Sequence, residues 1–125
     1  MNGYKKSCKQ INFKRYCKVL TLNDDRELIK RYKELHRPGA VWPEITKGIR
    51  EVGIIDMEIY LHGNTAFMIM DTVPDFNHDR AMEELASKPR QKEWEQFVSE
   101  FQKAGEKADT PEKWELTERI FELDS

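Results

Sequence analysis

The segment from Ile54 to Met70 narrows the possible folds most. Ile54-Ile55-Asp56-Met57-Glu58-Ile59-Tyr60-Leu61 alternates apolar and polar residues, and Ala66-Phe67-Met68-Ile69-Met70 returns after His62-Gly63-Asn64-Thr65. Side chains alternate between the two sides of a strand, so Ile55, Met57, Ile59 and Leu61 are predicted on one face and Asp56, Glu58 and Tyr60 on the other. Two strands joined by so short a turn form an antiparallel hairpin. The return strand is apolar on both faces, which predicts an interior place in its sheet.

The flanking segments supply the other elements. Phe13 to Leu22 holds Tyr16, Cys17, Val19, Leu20 and Leu22 and reads as a first strand. Asn23-Asp24-Asp25 ends it and offers an N-cap for a helix running to about His36. Leu28, Ile29, Tyr32, Leu35 and His36 share one face of that helix. Pro38-Gly39 terminates it, because proline disfavours helical geometry at the residue before it. Pro43 suits the first position of a second helix, with Trp42, Ile45, Ile49 and Val52 as its stripe and Gly53 as its stop. After the hairpin, Asp75 is a candidate cap for a third helix carrying Met82, Leu85 and Ala86. A fourth carries Trp94, Phe97, Val98 and Phe101, and Trp114 to Leu123 reads as a closing strand.

The resulting order, β-αα-ββ-αα-β, predicts an α+β fold: a ferredoxin-like split βαβ arrangement with an antiparallel sheet and helices on one face. The other sheet face also carries apolar residues. A second copy of the chain is the simplest cover, so a homodimer of the α/β-barrel type is expected. Residues 1–12 are polar and lysine-rich and read as a flexible tail, leaving 13–125 as a single domain.

Composition removes several function classes. The net charge is -2, with 35% charged residues of both signs, and a nucleic-acid binder should show a basic bias. No apolar run reaches the length of a membrane span, and no secretory signal is visible at the N-terminus. Cys8 and Cys17 lack metal-ligand spacing and suit free thiols in a reducing compartment, so cytoplasmic residence is expected. There is no Gly-rich phosphate loop, CxxC, HExxH or nucleophile elbow. The three histidines, His36, His62 and His78, fall in separate elements, which argues against a metal site. His62 and His78 read as structural residues.

The chemistry then concentrates between Arg31 and Glu44. Tyr32 and His36 lie four residues apart, hence on one helical face. A phenol and an imidazole that converge on a pocket suit proton transfer to a small polar substrate, although packing with a satisfied polar tip is the commoner use of such a pair. Trp42 and Trp94, near the starts of two helices, are candidate pocket walls; the regular stripe around Trp94 equally fits core filling.

Tyr32-x-x-x-His36, Val41-Trp42-Pro43-Glu44-Ile45, Gly53, Ile59-Tyr60-Leu61, Trp94 and Leu116 to Phe121, taken in order, resemble the L-rhamnose mutarotase family. The likeness runs from Arg15 to Leu123. It implies a small cytoplasmic dimeric enzyme that interconverts the anomers of a 6-deoxy sugar without a cofactor. It implies His36 as proton donor, Tyr32 as a substrate contact and Trp94 as an aromatic sugar contact; Trp42 and Tyr60 are further substrate-binding candidates. Met57 stands where some members have a second tyrosine, Glu95 where they have a second tryptophan, and Arg37-Pro38-Gly39-Ala40 is longer than in some relatives. These departures bear on which sugar is preferred, L-rhamnose or L-fucose. Ring opening needs one proton delivered to the ring oxygen and one removed from the anomeric hydroxyl. His36 is expected to deliver the first and Tyr32 to orient the sugar, while a carboxylate or water takes the second, with Glu58, Asp56 and Glu118 standing unranked as the carboxylates on offer. Two other readings share this architecture: a cofactor-free monooxygenase-like enzyme and a non-catalytic ligand-binding module.

Overall fold

The computed structural model describes residues 2–7, 12–102 and 114–123. Its elements are β1 (Lys14–Thr21), α1 (Arg26–Leu35), α2 (Pro43–Glu51), β2 (Ile54–His62), β3 (Thr65–Thr72), α3 (His78–Ala86), α4 (Gln91–Ser99) and β4 (Glu115–Leu116). The strands form one open antiparallel sheet in the order β2-β3-β1-β4. β3 lies between β2 and β1, as its two apolar faces require.

The inner face of the sheet carries Leu20, Ile54, Ala66, Met68 and Met70, all buried. All four helices contribute to the hydrophobic clusters over that face: Tyr32 from α1, Ile45 from α2, Ala81 from α3 and Trp94 from α4. No helix among the described residues is long and apolar enough to cross a membrane.

Local chemistry explains the helix ends. Asp25 caps α1 by accepting from the backbone N–H groups of Glu27 and Leu28 at 2.9 and 3.1 Å, which satisfies two donors that the first turn leaves open. Pro43 opens α2. Gly53, just past α2, has φ +102°, and a Cβ there would lie 3.1 Å from Val73 Cγ2. Only glycine accepts both the dihedral angle and the crowding.

Four expectations need correction. α3 is capped by Asn77, whose side chain accepts from Arg80 N–H, rather than by Asp75. Phe76 must first turn into the core, where it is buried. A β-bulge between Ile54 and Asp56 shifts the register of β2, so Ile54, not Ile55, is the residue that fills the core; Met57, Ile59 and Leu61 keep their predicted face. α4 starts at Gln91, which puts Trp94 one turn inside the helix. The closing strand pairs with β1 only through Glu115 and Leu116. Beyond it, Ile120, Phe121 and Leu123 are exposed, because a single chain gives them nothing to pack against.

The tail residues in view lie against the outer sheet face. Lys6 pairs with Asp56 and Glu58, and the Tyr4 ring meets Tyr60 edge-on at 5.8 Å. Cys17 is a free thiol; Cys8 lies outside the described residues.

Candidate active site

A cavity of about 940 Å³ opens between the helices and the inner sheet face. That volume falls in the usual range for small-molecule pockets. Tyr32, His36, Trp94, Lys18, Gln91 and Glu95 are among the residues that line it.

Tyr32 and His36 meet as their spacing predicts, with ring centroids 4.4 Å apart. α1 ends just before His36, whose backbone N–H donates to Lys33 O at 3.2 Å. The Tyr32 carbonyl then lies 2.7 Å from His36 Nδ1. A carbonyl only accepts, so Nδ1 carries the hydrogen and, in the neutral ring, Nε2 holds the lone pair. Burial lowers the His36 pKa below its ordinary 6.5, and the hydrogen bond to Tyr32 O only partly offsets this. The imidazole at neutral pH is therefore an uncharged Nδ1–H tautomer, ready to accept a proton at Nε2. The Tyr32 phenol is 4% exposed, and burial raises its pKa. It stays protonated, so its hydroxyl has a hydrogen to donate.

Trp94 meets the His36 ring edge-on at 5.9 Å. Trp42 packs behind Trp94 at 5.1 Å, stacks on Phe97, and carries the Arg90 guanidinium over its face at 4.1 Å. It supports the wall and does not line the cavity. Tyr60 also lies away from the cavity: strand alternation puts it on the outer face, next to Glu58 and Tyr4. The structure thus brings His36, Tyr32 and Trp94 together and leaves Trp42 and Tyr60 outside.

Of the three carboxylates left unranked by the sequence, Asp56 lines the cavity and is engaged by Lys6, Glu58 is engaged by Lys6 without lining the cavity, and Glu118 is exposed on the terminal arm. The carboxylate that lines the cavity on the same helix as Trp94 is Glu95. Gln91, one turn earlier, donates from Nε2 to Glu95 Oε1 at 3.2 Å.

Lys18 lies on the cavity floor at 1% exposure, with Nζ 3.7 Å from Met82 Sδ among its contacts. A lysine is rarely buried so fully. His78 also lines the cavity; its Nδ1 lies 3.0 Å from Asp79 Oδ1 and its ring 5.4 Å from Tyr16. Lys18 and Gln91 escaped the sequence reading, although a signal for both was present, whereas Glu95 was named there as standing where some relatives have a tryptophan. Lys18 shares strand parity with Tyr16, Leu20 and Leu22, and Gln91 shares a helical stripe with Trp94 and Val98. Met57, where some relatives have a tyrosine, also lines the cavity.

This arrangement offers a proton acceptor, a buried phenol, an indole wall and polar side chains that suit a polyhydroxylated ligand. Among the described residues there is no group of three or more His, Cys, Asp or Glu side chains able to hold a metal ion.

Comparison with known proteins identifies the family. The family model described as L-rhamnose mutarotase matches residues 15–123. An L-fucose mutarotase of Xanthomonas campestris pv. campestris is 36% identical over 113 residues, covering 90% of each chain. The crystal structure of an L-rhamnose mutarotase from Formosa agariphila superposes with a TM-score of 0.65 at 21% identity, covering 89% of this chain and 99% of the other. At that identity the likeness speaks for the fold.

Proposed function

Since this chain belongs to the L-rhamnose mutarotase family and is accordingly a sugar mutarotase, an isomerase, we propose that it interconverts the α and β anomers of L-rhamnose, with His36 as its proton shuttle. The observation that carries the mechanism is the hydrogen bond from His36 Nδ1 to Tyr32 O, which leaves Nε2 as the acceptor beside the cavity.

In this mechanism Nε2 takes the proton of the anomeric hydroxyl. The O1 electron pair forms the C1 carbonyl, the bond from C1 to the ring oxygen breaks, and the ring oxygen leaves with that bond pair. The imidazolium then gives the proton to the ring oxygen. His36 is thus the donor to the ring oxygen, as the family resemblance implies, but only after it has acted as base. The aldehyde turns about the C1–C2 bond, and the same steps in reverse close the ring on its other face. Tyr32 donates a hydrogen bond that orients the sugar, and the Trp94 indole packs on the apolar side of the ring. The cycle consumes no electrons, and all its atoms come from the substrate.

L-Rhamnose is favoured by the family model over 15–123. L-Fucose is the second reading, supported by the 36% identical relative. Saturation-transfer NMR on both sugars reports anomer exchange directly. Acceleration of L-rhamnose exchange by the wild type, lost in His36→Asn, is the expected result; a folded His36→Asn protein with full activity sinks the role.

The same proposal includes a homodimer. The outer sheet face leaves Tyr60 and Phe67 each more than a third exposed, and the terminal arm offers Ile120 and Phe121 at 90% and 70%. Apolar surface of that kind suits a second copy, which would close the open sheet into a barrel. Light scattering should return twice the chain mass. Residence in the cytoplasm, which suits the free Cys17 thiol, completes the reading.

A further inference from the structure

Among the described residues Arg90 is the only one other than glycine with a positive φ, at φ 62° and ψ 5°. The cause is local. Gln91 N–H donates to Lys88 O at 3.1 Å and closes a tight turn over Lys88-Pro89-Arg90-Gln91. Proline at the second place and left-handed geometry at the third mark a type II turn, whose third place favours glycine. A residue with a Cβ is strained there. An arginine in that place calls for contacts that glycine could not make.

Its side chain makes three. The guanidinium lies over the Trp42 ring at 4.1 Å. Nη1 is 3.7 Å from Glu44 Oε2, and Nη2 is 3.5 Å from Glu93 Oε2. Half-exposed ion pairs hold little by themselves, and a cation over an indole is the firmer contact. Glu44 Oε2 is itself buried with no hydrogen-bond partner among the described residues, so the Arg90 charge offsets a carboxylate oxygen cut off from water. Together these contacts tie the start of α4 to the start of α2. Two routes then run from Arg90 toward the site. Its carbonyl accepts the Trp94 N–H at 3.0 Å. Its guanidinium holds Trp42, which meets Trp94 edge-on at 5.1 Å, and Trp94 meets His36 at 5.9 Å. Arg90 itself does not line the cavity. Resting on the mutarotase reading, we infer that Arg90 is a positioning residue: through Trp42 it fixes the angle at which the Trp94 indole meets His36, and with it the pose of the sugar at Nε2.

The test compares wild type with Arg90→Gly, Arg90→Lys, Trp42→Phe and the double variant Arg90→Gly/Trp42→Phe. Glycine accepts the turn and removes only the side chain, so Arg90→Gly should melt within about 5 °C of wild type, relief of the backbone offsetting the lost contacts. In NMR anomer exchange on L-rhamnose its kcat should fall about 10- to 100-fold, the scale of a substrate misplaced by about an ångström. KM should change by less than about threefold, because the sugar meets the same side chains at altered angles. Arg90→Lys keeps the charge and loses the plane that stacks on the indole, so it should recover only part of the rate. Since Arg90 works through Trp42, the double variant should lose no more than the worse single variant. Near-UV circular dichroism reads the packed indoles without turnover and should flatten in Arg90→Gly. Wild-type kcat in a folded Arg90→Gly or Arg90→Lys, an unchanged near-UV spectrum in both, or single losses that multiply in the double variant overturn the inference. A wild type that exchanges no anomers, with the near-UV signal still lost in Arg90→Gly, sinks the mutarotase reading and sustains the hold of Arg90 on the indoles. If Arg90→Gly or Trp42→Phe fails to fold, Arg90→Lys decides by kcat and near-UV spectrum.

Discussion

Acidification should switch this site off from one residue. His36 is half-buried, and burial sets its pKa below 6.5. The hydrogen bond of Nδ1 to Tyr32 O assigns the working lone pair to Nε2, so the active form is the neutral ring. Each pH unit below the folded pKa leaves about one tenth of the neutral form that was present before it. The enzymatic rate should therefore be flat near neutrality and fall about tenfold per pH unit on the acidic side, with its inflection below 6.5. Replacing His36 with Asn removes the shuttle, and the expected loss is about 10²- to 10⁴-fold, the usual contribution of general acid–base catalysis. Saturation-transfer NMR across pH 4.5 to 8, with the buffer-catalysed rate subtracted, measures both effects. A rate that rises as the pH falls, tracking the imidazolium, would refute the reasoning. The same group links stability to pH. The unfolded chain takes up a proton near 6.5 while the folded protein resists it, so stability is fully present above that pH. It is lost as pH falls from 6.5 toward the folded value. Thermal melts should show this fall in the wild type and a shallower one in His36→Asn.

Three further perturbations have defined outcomes. Tyr32→Phe keeps the packed ring and removes only the hydroxyl, so KM should rise about fivefold, the worth of one hydrogen bond of about 1 kcal/mol, with the melting temperature nearly unchanged. Gly53→Ala forces a side chain into φ +102° against Val73; a loss of more than about 1 kcal/mol in denaturant melts is expected. Asp25→Ala strips the α1 cap from two N–H groups and should cost about 1 kcal/mol by the same assay.

The parts of the fold written in local pattern were legible before any coordinates. The β2–β3 hairpin follows from alternation and a short turn, and the ends of α1 and α2 follow from Asp25, Pro38-Gly39 and Pro43. Features that depend on distant partners were not. The two-residue β4 is decided by where β1 lets it pair, and the bulge at Ile54 by the pull of the core on a residue out of phase. The site divides in the same way. Tyr32 and His36 are one turn apart on one helix, so their meeting could be read directly. Tyr60 was assigned to the outer face by its own alternation, while its place among the candidate contacts came from resemblance. Lys18 and Gln91 were passed over because polarity was weighed above phase; each occupies a core-facing position in its own element. Glu95 stood out only by resemblance, as the residue where some relatives have a tryptophan.

The break after α1 has a consequence for the reaction. In a longer helix the amide of residue 36 would claim the carbonyl of residue 32 for the backbone ladder. Here the last turn tightens, that amide goes to Lys33, and the released carbonyl dictates the imidazole tautomer. Extending the helix by one turn, with every side chain kept, would leave the ring free to carry its hydrogen on either nitrogen. The length of α1 is thus a setting of the enzyme's acid–base chemistry as well as of its shape.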